Sequence, residues 1–151
     1  MNELSPTIIN EISGEAQPLL TWSEDRLGVG VPVMDGYHQE FLSILSALTT
    51  VPDSVFPSLF SELVRHTRAH FTQEEQLMKE TDFPAAQEHI DEHRRVLRDL
   101  EALLSRVKRG RLMMPREFVK NGMPEWFGLH LSTMDSALAA HVKTTLDLDQ
   151  S

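Results

Sequence analysis

The chain has 151 residues, a net charge of -9 at pH 7 and no cysteine. This length suffices for one domain with a buried core. The acidic balance argues against nucleic-acid binding, which needs clustered lysine and arginine, and the lack of cysteine excludes disulfides, thiolate metal sites and cysteine nucleophiles. No apolar run approaches the ~18–20 residues of a membrane span, and no signal pattern opens the chain. We therefore expect a soluble cytoplasmic protein with no membrane partner.

The chain divides into three parts by pattern. Residues 1–21 show no clear periodicity, and we interpret them as an extended N-terminal arm. The next stretch, from Trp22 to Met34, is apolar but interrupted by glycine and proline, which predicts an extended segment without helix. We take 22–146 as the single folded domain and 147–151 as a C-terminal tail.

Apolar residues at three- and four-residue steps predict four long helices. Asp35 is the expected N-cap of the first helix. Short connections force neighbouring helices to run antiparallel, so the sequence predicts an all-α, up-down-up-down four-helix bundle. The predicted helices span roughly 35–48, 54–80, 84–108 and 124–146.

The last helix contains two irregularities. Gly122 and Pro124 disfavour a helix interior, which predicts a break at 121–123 after a short separate helix at 115–120. The second irregularity is the five-residue step from His130 to Asp135, which turns the side chain about 140° in an α-helix. Either a π-bulge realigns the two side chains, or they approach a metal pair from opposite flanks. We favour the second solution, because it costs no backbone hydrogen bond.

Histidine and carboxylate side chains fall on the predicted inner faces of all four helices. Burying such groups costs several kcal/mol unless they are paired or bound to metal. Two pairs have four-residue spacing, which places both members one turn apart on the same face. The seven candidate ligands are His38, His70, Glu74, His89, His93, His130 and Asp135.

The composition of this set narrows the choice of metal. Five imidazoles and two carboxylates exceed the needs of one four-coordinate zinc ion and suit two ions bridged by the carboxylates. In the absence of thiolates, iron, manganese, zinc and copper all remain open. We favour iron.

The same residues stand in segments that resemble the hemerythrins, in particular the bacterial single-domain hemerythrins. The resemblance covers about residues 20–142 and fills all seven ligand positions of the family pattern. The matching motifs are Asp35-Gly36-Tyr37-His38, His70-Phe71-Thr72-Gln73-Glu74-Glu75, His89-Ile90-Asp91-Glu92-His93 and Trp126-Phe127-Gly128-Leu129-His130.

This resemblance implies two iron ions with a water-derived oxo or hydroxo bridge. One iron would bind three imidazoles, those of His89, His93 and His130. The other would bind two imidazoles, those of His38 and His70. Two carboxylates would bridge the pair, those of Glu74 and Asp135. The iron with two imidazoles would keep an open position for dioxygen.

Reversible oxygen binding needs a dry pocket beside that open position. We assign four side chains to it: Phe41, Phe71, Trp126 and Leu131. His66, one turn before His70, has two readings that stay open: a hydrogen-bonded packing residue, or a hydrogen-bond donor behind the ligands of the open iron. We expect Glu75 to face outward and to serve as a control position.

The resemblance implies a dioxygen-binding protein for storage, delivery or sensing. We expect a monomer, and because the site is richer in histidine than in carboxylate we expect binding and not an enzyme. Two alternatives stay open. A di-iron oxidase or peroxidase is the first, although such sites are usually richer in carboxylates. The second is an iron or oxygen sensor that acts through a protein partner, which the N-terminal arm could contact.

Overall fold

The structure is a computed structural model that describes residues 22–146. The predicted N-terminal arm, 1–21, and the predicted tail, 147–151, lie outside the described residues. The described part of the chain is helical throughout and contains no strand. Its α-helices are α1 Glu24–Leu27, α2 Pro32–Leu48, α3 Phe56–Glu80, α4 Ala86–Lys108, α5 Met113–Glu117, α6 Met123–His130 and α7 Ser136–Leu146.

Four long helical rods form the bundle. Three are α2, α3 and α4, and the fourth runs without interruption from α5 to α7 through two π-helical segments. Because the connections at 49–55, 81–85 and 109–112 are short, neighbouring rods run antiparallel. The predicted all-α, antiparallel four-helix bundle is confirmed. No helix within 22–146 is both long and apolar enough to cross a membrane.

The segment that leads into α2 differs from its prediction. It is partly helical, since it contains α1, and α2 begins at Pro32, before the predicted start at Asp35. Proline fits a first helical turn because the N–H that it lacks would have no helical partner there. Asp35 does not cap α2. Its carboxylate accepts hydrogen bonds from the N–H groups of Val29 (2.8 Å) and Gly30 (3.1 Å), which fixes the approach of the chain to the helix.

The predicted helix break at 121–123 is wrong. The chain stays helical there by forming a π segment, Phe118–Gly122, which includes residues assigned to the separate short helix. The Met123 N–H donates to the Phe118 carbonyl, five residues back, where an α-helix would bond four back. Pro124 follows directly. Proline in a regular α-helix would remove a hydrogen bond to the carbonyl four residues back. In the π turn that regular pattern is already replaced, so Pro124 does not end the helix.

Two apolar clusters fill the bundle, one on each side of a polar layer. Both consist of side chains with almost no exposure to solvent. The larger cluster includes Leu45, Phe60, Leu63, Leu100 and Met123. The smaller cluster includes Met34, Met78, Leu138, Ala139 and Val142. The layer between them receives histidine or carboxylate side chains from every long rod, so the apolar packing determines where those groups lie.

Two helical glycines test the packing of the first π segment. Gly36 in α2 has open space where a Cβ would lie, so Gly36→Ala should raise the free energy of unfolding by about 1 kcal/mol. At Gly122 a Cβ would lie 2.9 Å from Cδ1 of Phe118, so Gly122→Ala should lower it. Urea denaturation followed by circular dichroism measures both changes. Equal stabilisation by the two substitutions would contradict the close contact between Phe118 and Gly122.

Candidate metal centre

All seven predicted ligand side chains meet in the polar layer between the two apolar clusters. The long rods contribute two pairs with four-residue spacing, from α3 and α4, one group from α2, and two groups from the last rod. None of the seven is more than 3% exposed. They form two overlapping groups. Within each group, the ligand atoms all lie within 4.8 Å of one another. The first group is Glu74, His89, His93, His130 and Asp135. The second is His38, His70, Glu74 and Asp135.

The carboxylate of Glu74 divides its two oxygens between these groups. Its Oε2 lies 2.8 Å from Nε2 of His70 and 3.1 Å from Nε2 of His38. Its Oε1 lies 3.2 Å from Nε2 of His93 and 3.5 Å from Nε2 of His89. A carboxylate in this position can bind a cation through each oxygen.

Asp135 repeats this division from the opposite rod. Its Oδ2 lies 3.2 Å from Nε2 of His38. Its Oδ1 lies 3.2 Å from Nε2 of both His89 and His130. The two carboxylates therefore stand between the same two sets of imidazoles.

A second π segment, Leu131–Asp135, brings Asp135 into the layer. The Ser136 N–H donates to the Leu131 carbonyl five residues back, and the Ser136 hydroxyl donates to the same oxygen at 2.8 Å. A turn closed over five residues brings His130 and Asp135 to the same side of the helix. The preferred prediction, an approach from opposite flanks of a regular helix, is wrong, and the π-bulge alternative is correct.

The polar atoms at the centre of the layer suit metal ions better than they suit one another. Nε2 of His93, Oε1 of Glu74 and Oδ2 of Asp135 are buried and make no hydrogen bond, although imidazole and carboxylate atoms face them at 3.2 Å. The Nε2 atoms of His89 and His130 lie 3.2 Å apart. Buried polar atoms normally have partners. Buried lone pairs that converge, three of them on atoms without a hydrogen bond, are the arrangement that cations stabilise, so the residues fit a pair of metal ions.

The two buried carboxylates create a strong preference for positive charge. Burial opposes protonation of His38 and His89, but hydrogen bonds and attraction from Asp135 and Glu74 outweigh it and raise the pKa of each imidazole to about 9. Burial would likewise raise the pKa of Glu74, yet attraction to His70 and hydrogen bonds from neighbouring imidazoles hold it well below its usual range. A divalent cation supplies the same positive charge without a proton.

The neighbouring imidazoles also hold Asp135 in its ionised form. Burial and the nearby Glu74 carboxylate would each raise the pKa of Asp135. The close contacts of its carboxylate with the imidazoles of His130, His38 and His89 together lower it below its ordinary value. Both carboxylates are thus ready to bind a cation.

The four predicted pocket residues all lie in or against the larger apolar cluster. Phe71 stacks on His93, with 3.7 Å between ring centroids and 2° between planes, and Trp126 stacks on His130 at 4.6 Å. These two rings therefore cover imidazoles of the first group. Leu131 is buried in the second π segment.

The second group has its own aromatic wall. Phe41 stacks on Phe127 at 5.0 Å, and Phe127 stands edge-on to His38 at 5.6 Å. Phe127 was absent from the predicted pocket. Its position three residues before His130, on the inward face of the helix, is the signal that would have identified it.

Two further histidines lie outside the layer. Nε2 of His66 is 3.1 Å from Oε1 of Glu40, an exposed residue, while its ring centroid is 6.3 Å from that of His70. Burial lowers the pKa of His66, and the hydrogen bond to Glu40 opposes this only in part. His141 donates from Nε2 to the Thr81 carbonyl at 2.6 Å and so ties α7 to the turn that follows α3.

Glu75 does not face outward as predicted. Its side chain is 34% exposed, and Oε2 accepts a hydrogen bond from Nδ1 of His93 at 2.9 Å. Helical spacing alone places Glu75 beside the buried face and misses this contact. Coordination chemistry could have predicted such a contact. An imidazole that binds metal through Nε2 usually donates from Nδ1 to an acceptor, so a carboxylate near His93 was to be expected.

Known proteins resemble this chain along most of its length. A family model described as the hemerythrin HHE cation binding domain matches residues 29–145. The bacteriohemerythrin of Ralstonia nicotianae is 32% identical over 118 residues, which cover 78% of this chain and 85% of that protein. The bacteriohemerythrin of Stenotrophomonas maltophilia is 28% identical over 138 residues, which cover 85% of each chain.

The crystal structure of a wild-type hemerythrin has the same fold. It superposes with a TM-score of 0.76 at 19% identity and covers 83% of this chain and 98% of its own. The layer of imidazoles and carboxylates thus lies in a bundle of known type, and the family match spans every residue of that layer. The chain belongs to the hemerythrin family.

Proposed function

We propose that this protein binds dioxygen reversibly at a pair of iron ions held in the layer between its two apolar clusters. The observation that carries this proposal is the division of both carboxylates between two sets of imidazoles. One cation would need only one set of imidazoles. Two cations side by side need groups that bridge them, and carboxylates divided between two sets of imidazoles can do this. Membership of the hemerythrin family supports the same conclusion.

The protein ligands divide unequally between the two proposed iron ions. We assign three imidazoles to the first ion, those of His89, His93 and His130. We assign two imidazoles to the second ion, those of His38 and His70. Glu74 and Asp135 would give one oxygen to each ion. The second ion has one protein ligand fewer, and we assign the dioxygen position to its side.

The choice of iron and of binding over catalysis depends on the donor set. Nitrogen and oxygen donors without thiolate suit iron, and the bound iron pair would supply the electrons and the coordination position for dioxygen. The site has more imidazoles than carboxylates, whereas di-iron oxidases are usually carboxylate-rich. The chain contributes a dry wall of aromatic and aliphatic side chains that excludes water from the oxygen side.

Metal content gives the first test. Purified protein should contain two irons per chain, and Glu74→Ala should lose most of the metal because both ions would lose a bridging ligand. Glu80→Ala is the matched control, since Glu80 lies on the same helix and is exposed. Elemental analysis measures the ratio. One zinc and no iron after expression in iron-rich medium would contradict the proposal.

Oxygen binding gives the second test. The reduced protein should change its visible absorption when air is admitted and recover when the gas is removed. Leu131→Ala should accelerate irreversible oxidation, because truncating this buried side chain opens a route for water. The cavity should also cost about 2–5 kcal/mol of stability, so the comparison belongs at low temperature.

Leu129→Ala controls for the loss of a leucine from the same helix, since Leu129 is 66% exposed. Its oxidation rate should match that of the unmodified protein. Steady consumption of oxygen with added reductant, without a reversible spectrum, would instead indicate an oxidase. Equal oxidation rates for both leucine variants would remove Leu131 from the oxygen pocket.

A further inference from the structure

One of the five imidazoles in the layer differs from the others in its outer contact. Nδ1 of His93 donates to the carboxylate of Glu75 at 2.9 Å. The Nδ1 atoms of the other four are buried and make no hydrogen bond within residues 22–146. Those four are His38, His70, His89 and His130. Only one imidazole of the layer therefore has a charged acceptor behind it in the described part of the chain.

We infer that Glu75 is a positioning residue, which fixes the orientation and tautomer of His93 and places a negative charge behind one of the two metal ions. The expected effect of Glu75 on a metal ion rests on the proposed metal pair. The expected effect on the orientation and tautomer of His93 does not depend on any metal.

Two contacts at right angles hold the His93 ring. Phe71 covers its face at 3.7 Å, which restricts tilting, and Glu75 holds its edge, which restricts rotation within the plane. With the proton on Nδ1, Nε2 keeps its lone pair for the layer, where it faces Oε1 of Glu74 at 3.2 Å. Glu75 is a third exposed, so its carboxylate keeps part of its hydration and is not a costly buried charge.

The charge of Glu75 acts on one side of the site only. His93 belongs to the group with three imidazoles. The group with two imidazoles is backed by rings, since Tyr37 stacks on His70 and Phe127 stands edge-on to His38. A carboxylate hydrogen-bonded to a ligand imidazole makes that ligand a stronger donor. Glu75 should therefore tighten binding at the three-imidazole ion and favour its more highly charged oxidation state.

Two substitutions separate the hydrogen bond from the charge. Glu75→Gln keeps an acceptor for Nδ1 but removes the charge, whereas Glu75→Ala removes both. Glu62→Gln is the matched control, because it removes one carboxylate from the same helix, where Glu62 pairs with the exposed Arg65. The metal-free forms of all variants should melt within a few degrees of one another, since a partly exposed contact contributes little to stability.

Metal release tests the effect at the site. In a chelator challenge Glu75→Ala should lose one of its two metal ions about tenfold faster than the unmodified protein. Glu75→Gln should retain both ions longer than Glu75→Ala, and its reduction potential should be higher than that of the unmodified protein. Glu62→Gln should change neither property. Equal release rates and potentials in all four proteins would overturn the role of Glu75 at the metal.

Nitrogen-15 NMR of the metal-free protein at alkaline pH tests the imidazole directly. His93 should carry its proton on Nδ1 in the unmodified protein and in Glu75→Gln, and should become a mixture of tautomers in Glu75→Ala. A proton on Nε2 in the unmodified protein, or no change in Glu75→Ala, would overturn the inference. If the unmodified protein binds no metal, the proposed function fails, and the tautomers alone decide whether Glu75 positions His93.

Discussion

The rest of this structure depends on burying five imidazoles and two carboxylates in one layer of a small bundle. Such groups are costly inside a protein unless a partner or a cation compensates them. Every long rod must therefore present its polar side chain at the same level, and apolar packing on both sides must hold that level. The short connections make neighbouring rods antiparallel and help to bring all four rods into register.

Aromatic rings pack against most of the imidazoles and help to fix their orientation. Phe71 stacks on His93, Trp126 stacks on His130, and Tyr37 stacks on His70. The indole of Trp126 is held in turn, because its Nε1 donates to a Glu92 carboxylate at 2.7 Å. The same carboxylate is paired with Arg95, and these two contacts lower its pKa to about 2. A surface ion pair thus helps to orient a ring that packs against the layer.

Helical periodicity allowed the bundle and six of the seven residues of the layer to be predicted. Asp135 was assigned through the resemblance to the hemerythrins, because in a regular helix it would lie off the His130 face and only the π segment brings it into the layer. Two further features could not be obtained from periodicity. The first is the uninterrupted helix at Pro124. The predicted break assumed a regular α-helix, whereas the chain forms a wider π turn before Pro124 and stays helical. The contact from Glu75 to His93 joins two helices, and the spacing within one helix carries no information about the reach of its side chains across the bundle.

The number of residues in the second π segment couples the orientation of Asp135 in the polar layer to the orientation of the smaller apolar cluster. An α-helix turns about 100° per residue, so the extra residue in this turn also sets the orientation of everything after it. Leu138, Ala139 and Val142 face the core only because the segment has its present length. Shortening it by one residue would rotate Asp135 and these three side chains together. A change in the length of this turn should therefore disturb the polar layer and the smaller apolar cluster at once, whereas a substitution within it acts at one position.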